Sequence, residues 1–388
     1  MHFAFTGLVK RLARVVGAFG YVLVAATMTP ASAQGAGAGA GGDIVIGQSA
    51  ALSGPADEIG KEMKAGAEAC FNAVNLAGGV NGRKIRLVSL DDAGEPERAK
   101  ANMQKLAGDE NALALFGATG EHTIKAMLPL VDKFKIPFVA AASGEENLRE
   151  PFNRYIFNIR ASYADETERG IDQLVRRSAS KIALFYQNDP FGRAGLAGVD
   201  KAMRSRKIGI LIFGSVDRNS LNVASAAQSI NKAGPQAVVI ATGARTAAAF
   251  IREMKKLGSN AQFFVLSSAG AKTLASELGD EGRGVAVSQV VPLPTTEGEP
   301  LGREYIKQIG GVKNASFASL EGYIGARVLV EGLKKAGKSP TRESLVDAME
   351  RLGTIDLAGY KVKFAPGNHN GSNLVELTVI GAQGLYRR

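Results

Sequence analysis

The chain has 388 residues, 45% of them hydrophobic, which is enough to bury more than one core and too long for one ordinary domain. Its formal net charge is +10, yet Lys and Arg are interspersed with acids (Arg98, Lys100, Asp109, Glu110) and not clustered with aromatics, which argues against a nucleic-acid partner. The one cysteine, Cys70, excludes an intrachain disulfide and a cysteine-based metal site, and reads as a buried thiol on an apolar helix face.

Residues 1–33 read as a secretory signal peptide, with Lys10, Arg11 and Arg14 ahead of the apolar run Val15–Met28 and a small-residue cleavage site at Ala31-Ser32-Ala33. Losing those three cations lowers the net charge to +7 (10 − 3). No cysteine follows the apolar run, so a soluble periplasmic product without a lipid anchor is expected. Residues 34–42 form a Gly/Ala linker. Its G-x-G-x-x-G match at Gly37, Gly39 and Gly42 lacks the preceding strand and following helix that a dinucleotide site needs.

The folded chain opens with a strand, Ile44–Gly47, the loop Ala50–Pro55, and a helix whose apolar residues recur from Ile59 to Val74. Gly78-Gly79 stops that helix, and Asn81-Gly82 turns the chain into the strand Ile85–Leu90, which ends on Asp91-Asp92. A helix over Glu97–Leu106 follows, then a strand at Ala112–Phe116 and a polar loop from Gly117 to Thr123 that opens the helix Ile124–Phe134. Strands are expected at Ile136–Ala140 and Tyr155–Ile159, with Ala161–Glu166 as a hinge crossing. A second α/β series has strands at Lys181–Tyr186, Ile210–Phe213, Ala237–Ala241 and Phe263–Ser267. Its helices are placed at Ile171–Val175, Ala194–Arg204, Val223–Ala233 and Thr246–Leu257, and Gly284–Val291 leads back. The tail carries helices at Ser319–Lys335 and Arg342–Arg351, then strands at Lys361–Phe364 and Leu374–Ile380. Alternation of this kind implies an α/β fold of two doubly wound lobes joined by a three-stranded hinge. The expected division is 43–162 plus 292–372 for lobe 1, and 163–291 plus 373–388 for lobe 2.

Leu52-Ser53-Gly54-Pro55, Gly78-Gly79-Val80-Asn81-Gly82-Arg83, Asp91-Asp92, Ile136-Pro137-Phe138 and Asp189-Pro190-Phe191-Gly192 occur here in a specific order and spacing. In these pieces the chain resembles the leucine/isoleucine/valine-binding family of periplasmic solute-binding proteins, over nearly all of residues 43–388. The resemblance implies a type I periplasmic binding fold. It also implies a monomer that captures a small molecule in the interlobe cleft, closes, and delivers it to the membrane permease of an ABC transporter.

Carried over residue by residue, the resemblance points to two helix-opening loops of the first lobe, where hydroxyls and free N–H groups hold the ligand carboxylate. One is Ala141-Ala142-Ser143. In the other, Thr119 to Thr123, Glu121 falls at the hydroxyl position, with Thr119 or Thr123 as the alternatives. Phe191 matches the aromatic that lies against the ligand, and Ser53 either caps the first helix or touches ligand. The acid that pairs the ligand's amino group falls at Ser267, and the nearby aromatic falls in Gly243-Ala244-Arg245. The usual amino-acid clamp is therefore incomplete unless Glu121 takes the ammonium and Arg245 the carboxylate. Alternatives are an aromatic acid, an amide or an apolar alcohol as ligand, or a sensor that signals to a receptor. Residues 34–388 hold two histidines, His122 and His369, and no G-x-S-x-G, H-E-x-x-H or P-loop motif, so neither catalysis nor a cofactor or metal is expected.

Overall fold

The computed structural model describes residues 42–388, so the expected signal peptide and all of the Gly/Ala linker except Gly42 lie outside the described residues. The chain begins with β1 (Ile44–Ala50), α1 (Asp57–Leu76), β2 (Ile85–Asp91), α2 (Pro96–Ala107) and β3 (Ala114–Phe116). It continues through α3 (Glu121–Phe134), β4 (Phe138–Val139) and β5 (Ile156–Phe157). These strands make a five-stranded parallel sheet in the order β2-β1-β3-β4-β5. Pro96 opens α2, where its missing N–H is no loss. Apolar clusters cover both faces of the sheet, so the strands read as continuous hydrophobic runs.

The second series comprises α4 (Tyr163–Arg176), β6 (Ile182–Gln187), α5 (Pro190–Arg204), β7 (Phe213–Val216), α6 (Ala224–Lys232) and β8 (Ala237–Ala241). It goes on with α7 (Ala244–Lys256), β9 (Gln262–Val265), α8 (Ala271–Leu278) and β10 (Ala286–Gln289). The chain then adds α9 (Pro300–Gln308), α10 (Phe317–Ala336) and α11 (Arg342–Glu350), whose apolar faces join the core of the first sheet. β11 (Thr354–Leu357) and β12 (Tyr360–Lys363) form a separate hairpin. β13 (Glu376–Ile380) and β14 (Tyr386–Arg387) complete a seven-stranded sheet ordered β14-β13-β10-β9-β8-β6-β7, with β13 antiparallel to β10.

Three segments cross between the sheets: after β5, after β10 and between β12 and β13. They are tied together. Asn158 bridges to Asn370, and the Tyr360 hydroxyl lies 3.5 and 3.4 Å from the carbonyl oxygens of Ile159 and Val290. The fold is thus two doubly wound α/β lobes with a three-stranded hinge.

Several local expectations need correction. Ala161–Glu166 is not wholly a crossing, because Ser162 and Asp165 form a reciprocal capping box that starts α4 at Tyr163. The strand placed at Ile210–Phe213 begins only at Phe213; it is an edge strand with exposed side chains, so apolar content misplaced it. α3 starts at Glu121, three residues before Ile124, and the short helices α8 and α9 have no counterpart in the sequence reading.

Candidate functional site

Both sheets direct the C-terminal ends of their parallel strands, and the N-termini of the helices that follow, toward the groove between the lobes, where open α/β folds bind ligands. A cavity of about 230 Å³ lies there. The first lobe lines it with Ala51, Thr119, Glu121, His122 and Ala142; the second with Phe191, Arg218, Arg245 and Ser268.

Three helices reach this cavity through glycine N-caps: Gly120 for α3, Gly243 for α7 and Gly270 for α8. No side chain of their own caps them, so the first N–H groups of α3 and α7 stay available, while those of α8 are taken from across the groove. At Gly120 (φ 83°) and Gly270 (φ 98°) the left-handed backbone favours glycine. A Cβ at Gly270 would also sit 2.9 Å from Glu58 Oε2. Glu58, from the first lobe, accepts N–H bonds from Lys272 (3.0 Å) and Thr273 (2.8 Å), and so caps α8 across the groove. On the far side, Arg218 Nη2 donates to the Gly94 carbonyl at 3.1 Å, and its Nη1 lies 2.6 Å from His122 Nε2. Burial first, and then the neighbouring guanidinium, hold the His122 imidazole below its usual pKa, and its Nε2 lies 2.6 Å from both the Gly94 carbonyl oxygen and Arg218 Nη1.

Glu121 sits in the first turn of α3, 8% exposed, where the helix dipole favours a carboxylate. The Tyr163 hydroxyl donates to Glu121 Oε1, and Ser268 Oγ lies 2.7 Å from the same hydroxyl. Burial nonetheless raises the Glu121 carboxyl to about 7, offset in part by the Tyr163 bond. A raised pKa favours the neutral native form. That stability is fully present below the ordinary carboxylate value of 4.5 and is lost as pH rises through about 7. Melting curves should therefore show the wild type losing, on the order of 1–3 kcal/mol, its advantage over Glu121→Gln between pH 5 and 8. A difference that is flat across this range would refute the assignment.

Thr119, Glu121, Phe191 and Arg245 are the expected site residues that this cavity brings together. The Thr119 hydroxyl accepts from Ala51 N–H at 3.1 Å and keeps its own proton for a cavity acceptor. Phe191 packs against Tyr163, with ring centroids 5.3 Å apart. Arg245 stands exposed at the rim, 3.7 Å from Glu277. The other five expected residues do not line it. Ser53 is exposed and donates to Asp91 at 2.6 Å, and so neither caps α1 nor reaches the cavity. Thr123 is buried, its hydroxyl turned back to the Gly120 carbonyl at 2.7 Å. Ala141 belongs to the first-lobe core, and its neighbour Ala142 faces the cavity instead. Ser143 accepts from Glu145 N–H at 3.1 Å and borders an adjacent cavity of about 270 Å³ that Glu121 also touches. Ser267 is held by Glu166, at 2.9 Å, and by Arg160.

Sequence reasoning missed Tyr163 and Arg218. The Ser162–Asp165 capping pair could have placed Tyr163 on the first turn of α4. Arg218 lies in a loop after an edge strand and carries no local signal.

Against known proteins, a family model described as periplasmic binding protein matches residues 43–384. A substrate-binding periplasmic protein from Ralstonia solanacearum is similar at 32% identity, with a TM-score of 0.83 over 89% of this chain and 99% of that one. A possible leucine/isoleucine/valine-binding protein from Rhodopirellula baltica SH 1 is similar at 31% identity, with the same TM-score over 89% and 96% of the two chains. An amino acid binding protein of Pseudomonas aeruginosa is 25% identical over 243 residues, 61% of this chain and just under two thirds (64%) of that one.

Proposed function

The chain belongs to the periplasmic binding protein family, and from that premise we propose that its interlobe cleft captures an amino acid or related small molecule by hinge closure. The loaded protein then delivers its cargo to the membrane permease of an ABC importer. Membership implies an extracytoplasmic location. In this reading the chain reaches the periplasm through a cleavable signal peptide and works there as a monomer without a lipid anchor. One observation carries the reading: helix N-termini from both lobes meet in one cavity, α3 from the first and α7 and α8 from the second. An occupant that touches both lobes stabilises the arrangement in which they meet.

Thr119 and the free N–H groups of α3 serve an acceptor on the ligand, Glu121 a donor, and Phe191 the ligand's apolar body. Arg218 and Arg245 close the rim. A second reading, a non-amino-acid ligand such as an aromatic acid, amide or apolar alcohol, is favoured by Ser267, which stands where an acid would pair an amino group and is spent on Glu166.

The test is a thermal-shift screen of protein purified from the periplasm against leucine, phenylalanine, short amides, aromatic carboxylates and apolar alcohols. A ligand at about 100 times its dissociation constant stabilises by roughly 2.7 kcal/mol. The expected result is a shift with an amino acid that Glu121→Ala abolishes. A response confined to neutral or aromatic compounds replaces the first reading with the second, and silence across the whole screen defeats capture itself.

A further inference from the structure

Beyond Glu58, Ile59 and Gly270, which border both spaces, the interlobe groove continues into a larger cavity of about 650 Å³. Its walls are largely apolar, with Val290, Val291, Leu293, Phe317 and Tyr386 among them. Glu321, in the second turn of α10, lines this space while only 5% exposed. No hydrogen bond from any described residue reaches its carboxylate; the nearest cation is Arg160 Nη1 at 3.5 Å.

That cation is already balanced. Arg160 Nη2 donates to Glu166 Oε1 at 3.0 Å. Glu166 is in turn satisfied by Ser267 N–H at 3.0 Å and the Ser288 hydroxyl at 2.6 Å. Of the other charged groups on the cavity wall, Lys272 is tied to Glu62 at 2.9 Å, Glu58 accepts from the start of α8, and Arg387 is exposed. Two carboxylates thus share one guanidinium, whose Nε has no partner among the described residues, so the cluster carries one carboxylate in excess and Glu321 has an ion pair but no hydrogen bond. A buried carboxylate held by half of a shared ion pair and by no hydrogen bond is costly, and folding alone gives no reason to keep it.

We propose that this cavity is the inner half of the ligand site, and that Glu321 receives a primary ammonium group borne on an apolar body. The inference rests on the capture reading and adds to it the chemistry of the cargo. The cavity is of the size that holds small ligands, and its apolar walls with a single convergent charge are how such sites set orientation. A carboxylate-headed ligand would meet a like charge here. Burial holds the Glu321 carboxyl above its usual range, as expected of an acid that lacks donors.

Three probes of similar shape separate the possibilities: phenethylammonium, 2-phenylethanol and 3-phenylpropionate, titrated calorimetrically into the periplasmic protein and its Glu321→Gln variant. The ammonium should bind wild type at least about tenfold tighter than the alcohol, and Glu321→Gln should remove that margin while leaving the alcohol's affinity in place. If the Gln variant does not fold, Glu321→Asp should keep the ammonium preference at reduced affinity. The inference is overturned if the ammonium gains nothing over the alcohol, if Glu321→Gln leaves its affinity unchanged, or if no probe binds. In each of those cases a shift with other compounds in the broader screen would leave capture standing, and silence there would remove both.

Discussion

Arg160→Ala is expected to cost about 3–5 kcal/mol of unfolding free energy, because it removes one side of a buried ionic cluster and strands the other. Arg160 is 3% exposed, on the segment that crosses from the first lobe to the second. It pairs with Glu166 on α4 and lies beside Glu321 on α10, so one guanidinium joins both lobes at the hinge. Without it, Glu166 keeps its serine donors, but two buried carboxylates remain with no counter-charge beside them. The loss should therefore depend on pH. Glu321 already has a raised carboxyl pKa, caused first by burial, and the arginine's charge lowers it. Deleting the arginine raises it further, and an acid with a raised native pKa contributes stability that is present at low pH and lost as pH rises. Urea unfolding at pH 5 and pH 8 should give the smaller penalty at pH 5. A penalty below about 1 kcal/mol at pH 8, or one that does not change with pH, would contradict this account.

The second large effect is expected where α1 crosses α10. A Cβ on Gly66 would lie 1.8 Å from the Ser319 carbonyl oxygen, and one on Gly322 would lie 2.2 Å from that of Met63. Both obstacles are helix backbone, which cannot swing aside as a side-chain tip can. Gly→Ala in an isolated helix gains about 1 kcal/mol in propensity. Here the sign should reverse, with Gly66→Ala losing about 3 kcal/mol or more because the two helices must separate along their length. The double variant with Gly322→Ala should lose less than the sum, since the first substitution already opens the seam that the second needs. Denaturant unfolding of the three variants checks this, and a stabilised Gly66→Ala would refute it. The seam matters for function because α10 carries Glu321 and packs α1, with Glu58 and Ile59, against the groove.

The sequence by itself determined most of the order of strands and helices and the two-lobed α/β class, because these rest on local periodicity and turn chemistry, and its ordered motifs carried the resemblance to the family; α8, α9, β11 and β14 escaped it. Alternating apolar runs and helical repeats persist whatever their neighbours do, and the Gly78-Gly79 stop needs only its own backbone, whereas α5 begins at Pro190 under an Asp189 cap, four residues before the expected Ala194. It also placed Thr119, Glu121, Phe191 and Arg245 at helix openings that face the groove. Elements with exposed faces were harder to read, as at β7, where few apolar residues mark the strand. The tertiary structure alone decided which polar side chains are already spent on one another. Ser53 and Asp91, Ser267 and Glu166, and Thr123 and its own helix turn are partners only once the chain is folded. Glu321 reads in sequence as one more acid in a helix. Its meaning depends on Arg160, 161 positions earlier (321 − 160), having been claimed by Glu166. Charge balance in a buried site is set by contacts distant in sequence, and no local pattern encodes it.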